Sequence, residues 1–279
     1  MHTTLVSAEQ LVSHLDDWLI LDCRFDLADT EAGRRAYMAG HVPAAHYLHL
    51  DEDLSSPIRP DSGRHPLPDP ARLAARLAEL GLYEGRQVVV YDDLAGAMAG
   101  RAWALLRWLG HRAVAVLDGG WSAWCQQGGA VSRETPVAQA GAFQPQLQAD
   151  YWWSVEQVQQ GLAGATLSLV DARNSERFRG EQEPIDPVAG HVPGAINRPL
   201  TDNLRDGRFK PADELRAEWQ ALLADRPAGQ PVVHMCGSGV TACHNQLAME
   251  IAGLPGSAVY AGSWSEWIRD PQRPVTTGR

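Results

Sequence analysis

Cysteine is scarce in this chain. Four cysteines in 279 residues, set at no regular spacing, exclude a disulfide-stapled scaffold and predict free thiols in a reducing compartment. Positive charge is also short: 24 Lys and Arg against 34 Asp and Glu leave a formal net charge of −10. Neither nucleic acid nor an anionic membrane surface is an expected partner for such a chain. No apolar stretch approaches the length of a membrane span, and the first ten residues carry no basic segment leading into an apolar core. The expectation is a soluble, cytoplasmic protein, long enough for about two domains that each bury a core.

What is present is repetition. Leu21-Asp22-Cys23-Arg24 returns as Val170-Asp171-Ala172-Arg173, and Gly40-His41-Val42-Pro43 as Gly190-His191-Val192-Pro193. Gly119-Gly120-Trp121-Ser122-Ala123-Trp124 returns as Gly262-Ser263-Trp264-Ser265-Glu266-Trp267. Two copies of one domain, over 1–135 and 150–279, explain the matches, and the Gln, Ala, Gly and Pro-rich stretch 132–150 is the expected linker. In each copy short apolar runs (Trp18–Leu21, Val88–Tyr91, Val114–Leu117; Leu167–Val170, Val232–Met235, Ala258–Tyr260) alternate with helix-periodic segments. Those segments include Ala71–Leu80, Gly100–Leu109, Asp213–Leu223 and Thr241–Ile251. This alternation predicts an α/β fold, each domain a mainly parallel sheet with helices on both faces.

The chemistry concentrates in Cys236-Gly237-Ser238-Gly239-Val240-Thr241, which lies between an apolar run and a helical one. A cysteine at a strand-to-helix turn, with glycines that let successive backbone N–H groups point inward, sits in a field that favours a thiolate and any anionic sulfur attached to it. Free cysteines are commonly just buried apolar residues, and Cys23, Cys125 and Cys243 are read that way. Cys236 is read as a nucleophile. When the halves are aligned, Asp92 occupies the place of Cys236. The first half therefore has no sulfur chemistry at that turn and is expected to be catalytically inactive.

On these residues, together with Arg177-Phe178-Arg179-Gly180, the chain resembles the two-domain rhodanese-type sulfurtransferases over nearly its whole length. The resemblance implies an inactive N-terminal and an active C-terminal domain. Thiosulfate enzymes of the family carry an arginine and a lysine directly after the cysteine, whereas Gly237 and Ser238 are neutral, as in the 3-mercaptopyruvate sulfurtransferases. By the same resemblance Arg177 holds the substrate carboxylate, a task suited to a planar fork of donors. Without the family, Arg177 would read as a surface partner of Glu176 or Glu181. The mercaptopyruvate enzymes have a second arginine where this chain has Ile185, and Arg179 is a candidate to replace it. The resemblance also pairs Asp51 and His65 with Ser238 in a proton relay, although a histidine between Arg64 and Pro66 also reads as a surface residue. His41 and His191, kept in both halves, are expected to be structural.

The resulting expectation is ping-pong sulfur transfer. Cys236 takes sulfur from 3-mercaptopyruvate as a persulfide held by the amides of Gly237, Gly239, Val240 and Thr241, and pyruvate leaves. A thiol such as thioredoxin, or cyanide, then removes the sulfur. No metal or organic cofactor is expected. Thiosulfate as donor is the alternative. A phosphatase would need a longer loop closed by an arginine, where this chain has Ala242, and a silent sulfur-sensing module would not need an intact cysteine loop.

Overall fold

The computed structural model describes residues 1–278 and divides into two compact units. The first comprises Met1–Ser56, Leu67–Gln148 and Asp206–Phe209; the second comprises Pro57–Pro66, Ala149–Arg205 and the chain from Lys210 onward. This differs from a single cut between 135 and 150. Residues 57–66 have no apolar periodicity to tie them to either core, and polar contacts with residues distant in sequence hold them in the second unit. Arg64 N–H donates to Ser265 Oγ at 3.0 Å and Arg269 Nε to the Ser62 carbonyl at 3.3 Å. The expected linker is strapped to the first unit, with N–H groups of Gly141, Gln146 and Gln148 donating to carbonyls of Ala78, Leu109 and Trp108 at 2.8–2.9 Å.

Each unit is built on a five-stranded parallel sheet. In the first, β1 (Leu5–Val6), β2 (Leu19–Asp22), β3 (His46–Tyr47), β4 (Val88–Tyr91) and β5 (Val114–Leu117) lie in the order β1-β5-β4-β2-β3. In the second, β6 (Trp152–Trp153), β7 (Ser168–Asp171) and β8 (Ile196–Asn197) are joined by β11 (Val232–Met235) and β12 (Ala258–Tyr260) in the order β6-β12-β11-β7-β8. Two short strands, β9 (Leu204–Arg205) and β10 (Arg208–Phe209), lie outside both sheets. The repeat seen in the sequence is thus a repeat of topology.

Alternation along the strands places both faces of each sheet under cover. Val89, Tyr91, Ala115 and Leu117 pack with Leu11 and Trp124 in one cluster, while the intervening Val88, Val90, Val114 and Val116 are buried as well. In the second unit Leu169, Val233, Met235 and Tyr260 pack with Val158, Trp264 and Trp267, and Val170, His234 and Val259 face the other way, equally buried. Sheets buried on both faces produce the continuous apolar runs of the sequence.

His234 is the exception in that core. It is fully buried, edge-on to Trp219 at 5.5 Å, and neither ring nitrogen has a hydrogen-bond partner among the described residues. Burial, reinforced by Arg198, pushes its pKa from 6.5 down to about 3. An unfolded chain therefore binds a proton that the folded chain refuses, so stability present above pH 6.5 is lost as the pH falls. At about pH 5 the loss is about 2 kcal/mol. His234→Leu is expected to flatten the pH dependence of urea unfolding between about pH 7 and pH 5; an unchanged acid lability would assign that sensitivity elsewhere.

Candidate active site

In the second sheet the chain passes from β7 outward to β8 and then returns to the opposite side of β7 as β11. The carboxyl ends of β7 and β11 therefore flank a topological switch point, the place where open parallel sheets leave a crevice. Asp171 ends β7, and Cys236 directly follows Met235, its registered neighbour on β11.

The turn after Cys236 closes around its sulfur. Gly239, at φ +76°, turns its N–H onto Cys236 Sγ at 3.2 Å. The tryptophan motif stitches the loop from below: Trp264 N–H donates to the Cys236 carbonyl at 3.0 Å and Ser265 N–H to that of Gly237 at 2.9 Å. Ser263, left-handed at φ +53°, accepts the Cys236 N–H on its hydroxyl at 3.1 Å and donates to the Tyr260 carbonyl at 2.9 Å. Such strain in a non-glycine residue is held by the surrounding bonds and clusters at functional sites. Val240 is buried, and the carbonyls of Val240 and Thr241 accept the N–H groups of Cys243 and His244 as the helix Ala242–Ile251 begins.

The first unit carries the same turn with an anion built in. The Asp92 carboxylate accepts four backbone N–H groups, from Leu94 and Gly96 at 2.9 Å, Met98 at 2.7 Å and Ala99 at 2.8 Å. Trp121 N–H donates to the Asp92 carbonyl at 2.8 Å, as Trp264 does to Cys236.

Around the loop of the second unit, His65 Nδ1 stands 2.7 Å from Ser238 Oγ, with both residues buried. Asp51 is exposed in the first unit, where its N–H donates to His49 Nδ1 at 3.1 Å. Arg177, on the short helix Ser175–Phe178, forks onto Glu183 with contacts of 2.7 and 3.1 Å and reaches Asp186 Oδ2 at 3.2 Å. The other oxygen of Asp186 takes Arg64 Nη1. Both guanidiniums overlook Gly237, where a Cβ would stand 2.9 Å from Arg64 Nη2 and 3.7 Å from Arg177 Nη2. Arg179 is engaged by its neighbour Glu181 at 2.8 and 2.9 Å, so the second guanidinium at Gly237 is Arg64.

The two acids of this cluster differ. Burial raises the Glu183 pKa, but the hydrogen bonds from Arg177 and from the N–H groups of Asp186 and Ile185 outweigh it, and the net shift is downward. For Asp186 burial prevails over Arg64 and Arg177, is aided by the charge of Glu183, and holds the pKa above its ordinary value.

The paired histidines are structural. His41 Nδ1 lies 2.7 Å from the Tyr37 carbonyl and His191 Nδ1 2.7 Å from that of Phe178, each ring stacked on the same aromatic residue. Arg24 and Arg173 complete the equivalence, each forking onto its aspartate two residues back and reaching the Gly40 or Gly190 carbonyl.

Comparison with known proteins identifies the family. The model of the rhodanese-like domain matches residues 7–127 and again 154–270. The chain belongs to the rhodanese family of sulfurtransferases. It is 51% identical to a probable 3-mercaptopyruvate sulfurtransferase of Pseudomonas aeruginosa, covering 98% of each chain. It is 40% identical to a putative thiosulfate sulfurtransferase of Mycobacterium tuberculosis, over 98% of this chain and 97% of the other. The crystal structure of the 3-mercaptopyruvate sulfotransferase SseA from Escherichia coli superposes with a TM-score of 0.81 at 31% identity, over 95% of this chain and all of that one.

Three residues of this rhodanese-family site escaped the sequence reading. Arg64 and Asp186 carry no motif, and nothing local signals that residues 57–66 join the second unit. Ser263 did leave a trace, since it replaces Gly120 of the first copy at a left-handed position.

The loop predicts its own sensitivity. A Cβ on Gly239 would stand 2.1 Å from the Ala261 carbonyl oxygen, backbone against backbone, at a positive φ. Gly239→Ala is expected to cost about 2 kcal/mol or more in denaturant melts and to disable the loop. Gly237→Ala meets only movable guanidiniums and is expected to fold within about 1 kcal/mol of the parent.

Proposed function

We propose that the chain transfers sulfur from 3-mercaptopyruvate to a thiol or cyanide acceptor through a persulfide on Cys236. The observation that carries this reading is the cysteine sulfur facing an inward backbone N–H beside two guanidiniums that meet at neutral Gly237. Arg177 and Arg64 take the carboxylate of the donor. The donor thiol gives its proton to Ser238 as the Ser238 hydroxyl passes its own to His65 Nδ1. The Cys236 thiolate then attacks the donor sulfur. The S–S bond forms as the C–S bond breaks, its electron pair leaves as the pyruvate enolate, and a proton quenches that enolate. The persulfide is stabilised where Asp92 is stabilised in the first unit, by loop amides. None of the four cysteines forms a disulfide, which fits a reducing, cytoplasmic setting.

Charge supports this donor over thiosulfate. Gly237 and Ser238, directly after Cys236, are neutral, and the guanidiniums of Arg64 and Arg177 stand beside the loop rather than in it, each already shared with a carboxylate. Thiosulfate remains the second reading because the Mycobacterium tuberculosis relative is named for it.

Cys236→Ser is expected to abolish the mass gain of about 32 Da seen after donor treatment, whereas serine at Cys23, Cys125 or Cys243 leaves it intact. In side-by-side assays 3-mercaptopyruvate is expected to have the higher kcat/KM by about tenfold or more; a preference for thiosulfate would reverse the donor assignment.

Arg177→Ala is expected to raise KM for 3-mercaptopyruvate by an amount equivalent to about 1.5 to 3 kcal/mol. Ser238→Ala and His65→Ala should instead lower kcat, with the double variant little worse than either single one. Unchanged turnover in His65→Ala would remove the relay.

A further inference from the structure

Asp186 occupies a place that the mechanism leaves unused. Its two oxygens are divided between Arg64 and Arg177, the same guanidiniums that overlook Gly237. Its backbone is fixed independently, since the N–H groups of Ile185 and Asp186 both donate to Glu183 Oε1 at 3.0 Å. The side chain can leave the arginines by a rotation that does not disturb the turn. Glu183 is committed elsewhere: besides those N–H groups it takes Arg177 on both oxygens and Arg173 on Oε2 at 3.4 Å. Of the two acids, only Asp186 is both shared by the two guanidiniums and free of other side-chain partners in these contacts.

From this arrangement we infer that Asp186 is the protein's own stand-in for the donor carboxylate, holding Arg64 and Arg177 apart and aimed until a substrate carboxylate exchanges for it. The inference rests on the carboxylate role proposed above for the two arginines. It has two consequences. A donor must carry a carboxylate that can take over both guanidiniums, because a neutral thiol offers nothing in exchange. Apparent affinity is also reduced by the fraction of molecules in which Asp186 remains paired.

The groups facing Asp186 are Arg64 from the segment 57–66, Arg173 after β7, Arg177 on its helix and Glu183 in the same turn; the cysteine loop presents uncharged Gly237. A guanidinium carries its charge throughout ordinary pH, and the hydrogen bonds to Glu183 hold its pKa below the usual carboxylate range. Burial makes Asp186 the acid of the pair that protonates first as pH falls. A neutral Asp186 competes poorly for a guanidinium, so carboxylate binding tightens towards low pH.

The test uses equilibrium titration of the full chain with pyruvate, a monocarboxylate that cannot donate sulfur. Asp186→Asn is expected to bind pyruvate about three- to tenfold more tightly than the parent. The parent is expected to tighten as pH is lowered from neutrality through the acid range in which it stays folded, and the variant to show a flat profile over that range. Equal or weaker binding by the variant overturns the inference, as does a pH dependence that survives in it. Should the variant not fold, a flat profile in the parent alone overturns it. Arg177→Ala, expected to lose pyruvate binding, checks the carboxylate role separately. If Arg177→Ala binds pyruvate like the parent, the proposed site is wrong; if it does not and Asp186→Asn shows no gain, only the exchange is wrong.

Discussion

The constraint on which this protein turns is the need of a tight strand-to-helix turn for a negative group at its centre. Backbone N–H groups that point inward at the end of a buried parallel strand have no ladder partner and no water, and an unpaired buried donor costs about 1–3 kcal/mol. The first unit answers with the Asp92 carboxylate and four short hydrogen bonds. The second places Cys236 Sγ at the same point. The difference between the two turns is the group held at that centre. A carboxylate is a permanent occupant, whereas a sulfur gains most from the turn when it carries charge.

The surroundings follow from that requirement. The loop must be held from outside, because its own N–H groups are turned inward, and the tryptophan motif supplies the hold in both copies. The strand before it must be central and covered on both faces, so that no water competes for the turn. The Asp-x-Arg pairs pin the neighbouring strand to the Gly-His-Val-Pro loop and repeat in both units with the same partners. These elements recur because they build the turn, whichever residue occupies it.

This division explains what was readable in the sequence. The long central strands, the main helices, the tandem repeat and the position of Cys236 all follow from local composition and from self-similarity. Val88–Tyr91, Val114–Leu117, Val232–Met235 and Ala258–Tyr260 form the strands expected of them. The edge strands were not readable, because two residues such as His46–Tyr47 or Trp152–Trp153 carry no period. The segment 57–66 was not readable for a different reason. Its attachment rests on polar contacts with Asp186, Ser238, Ser265 and Arg269, all far away in sequence, and no local pattern encodes those. Arg64 stayed hidden with it, which left Arg179 as the candidate for the charge missing at Ile185, although no spacing required it.

Relocating the second guanidinium from the helix side of the site to residue 64 has a physical consequence beyond the substitution at Ile185. Two arginines on one short segment would move together and repel at close range. Arg64 and Arg177 come from separate segments, approach Gly237 from different backbones and are kept apart by a shared carboxylate, Asp186. The spacing between the guanidiniums is then set by the width of a carboxylate. In the proposed reading, a site gauged by an internal carboxylate receives the donor's in exchange, and the neutral residues after Cys236 leave the recognition of charge to this pair.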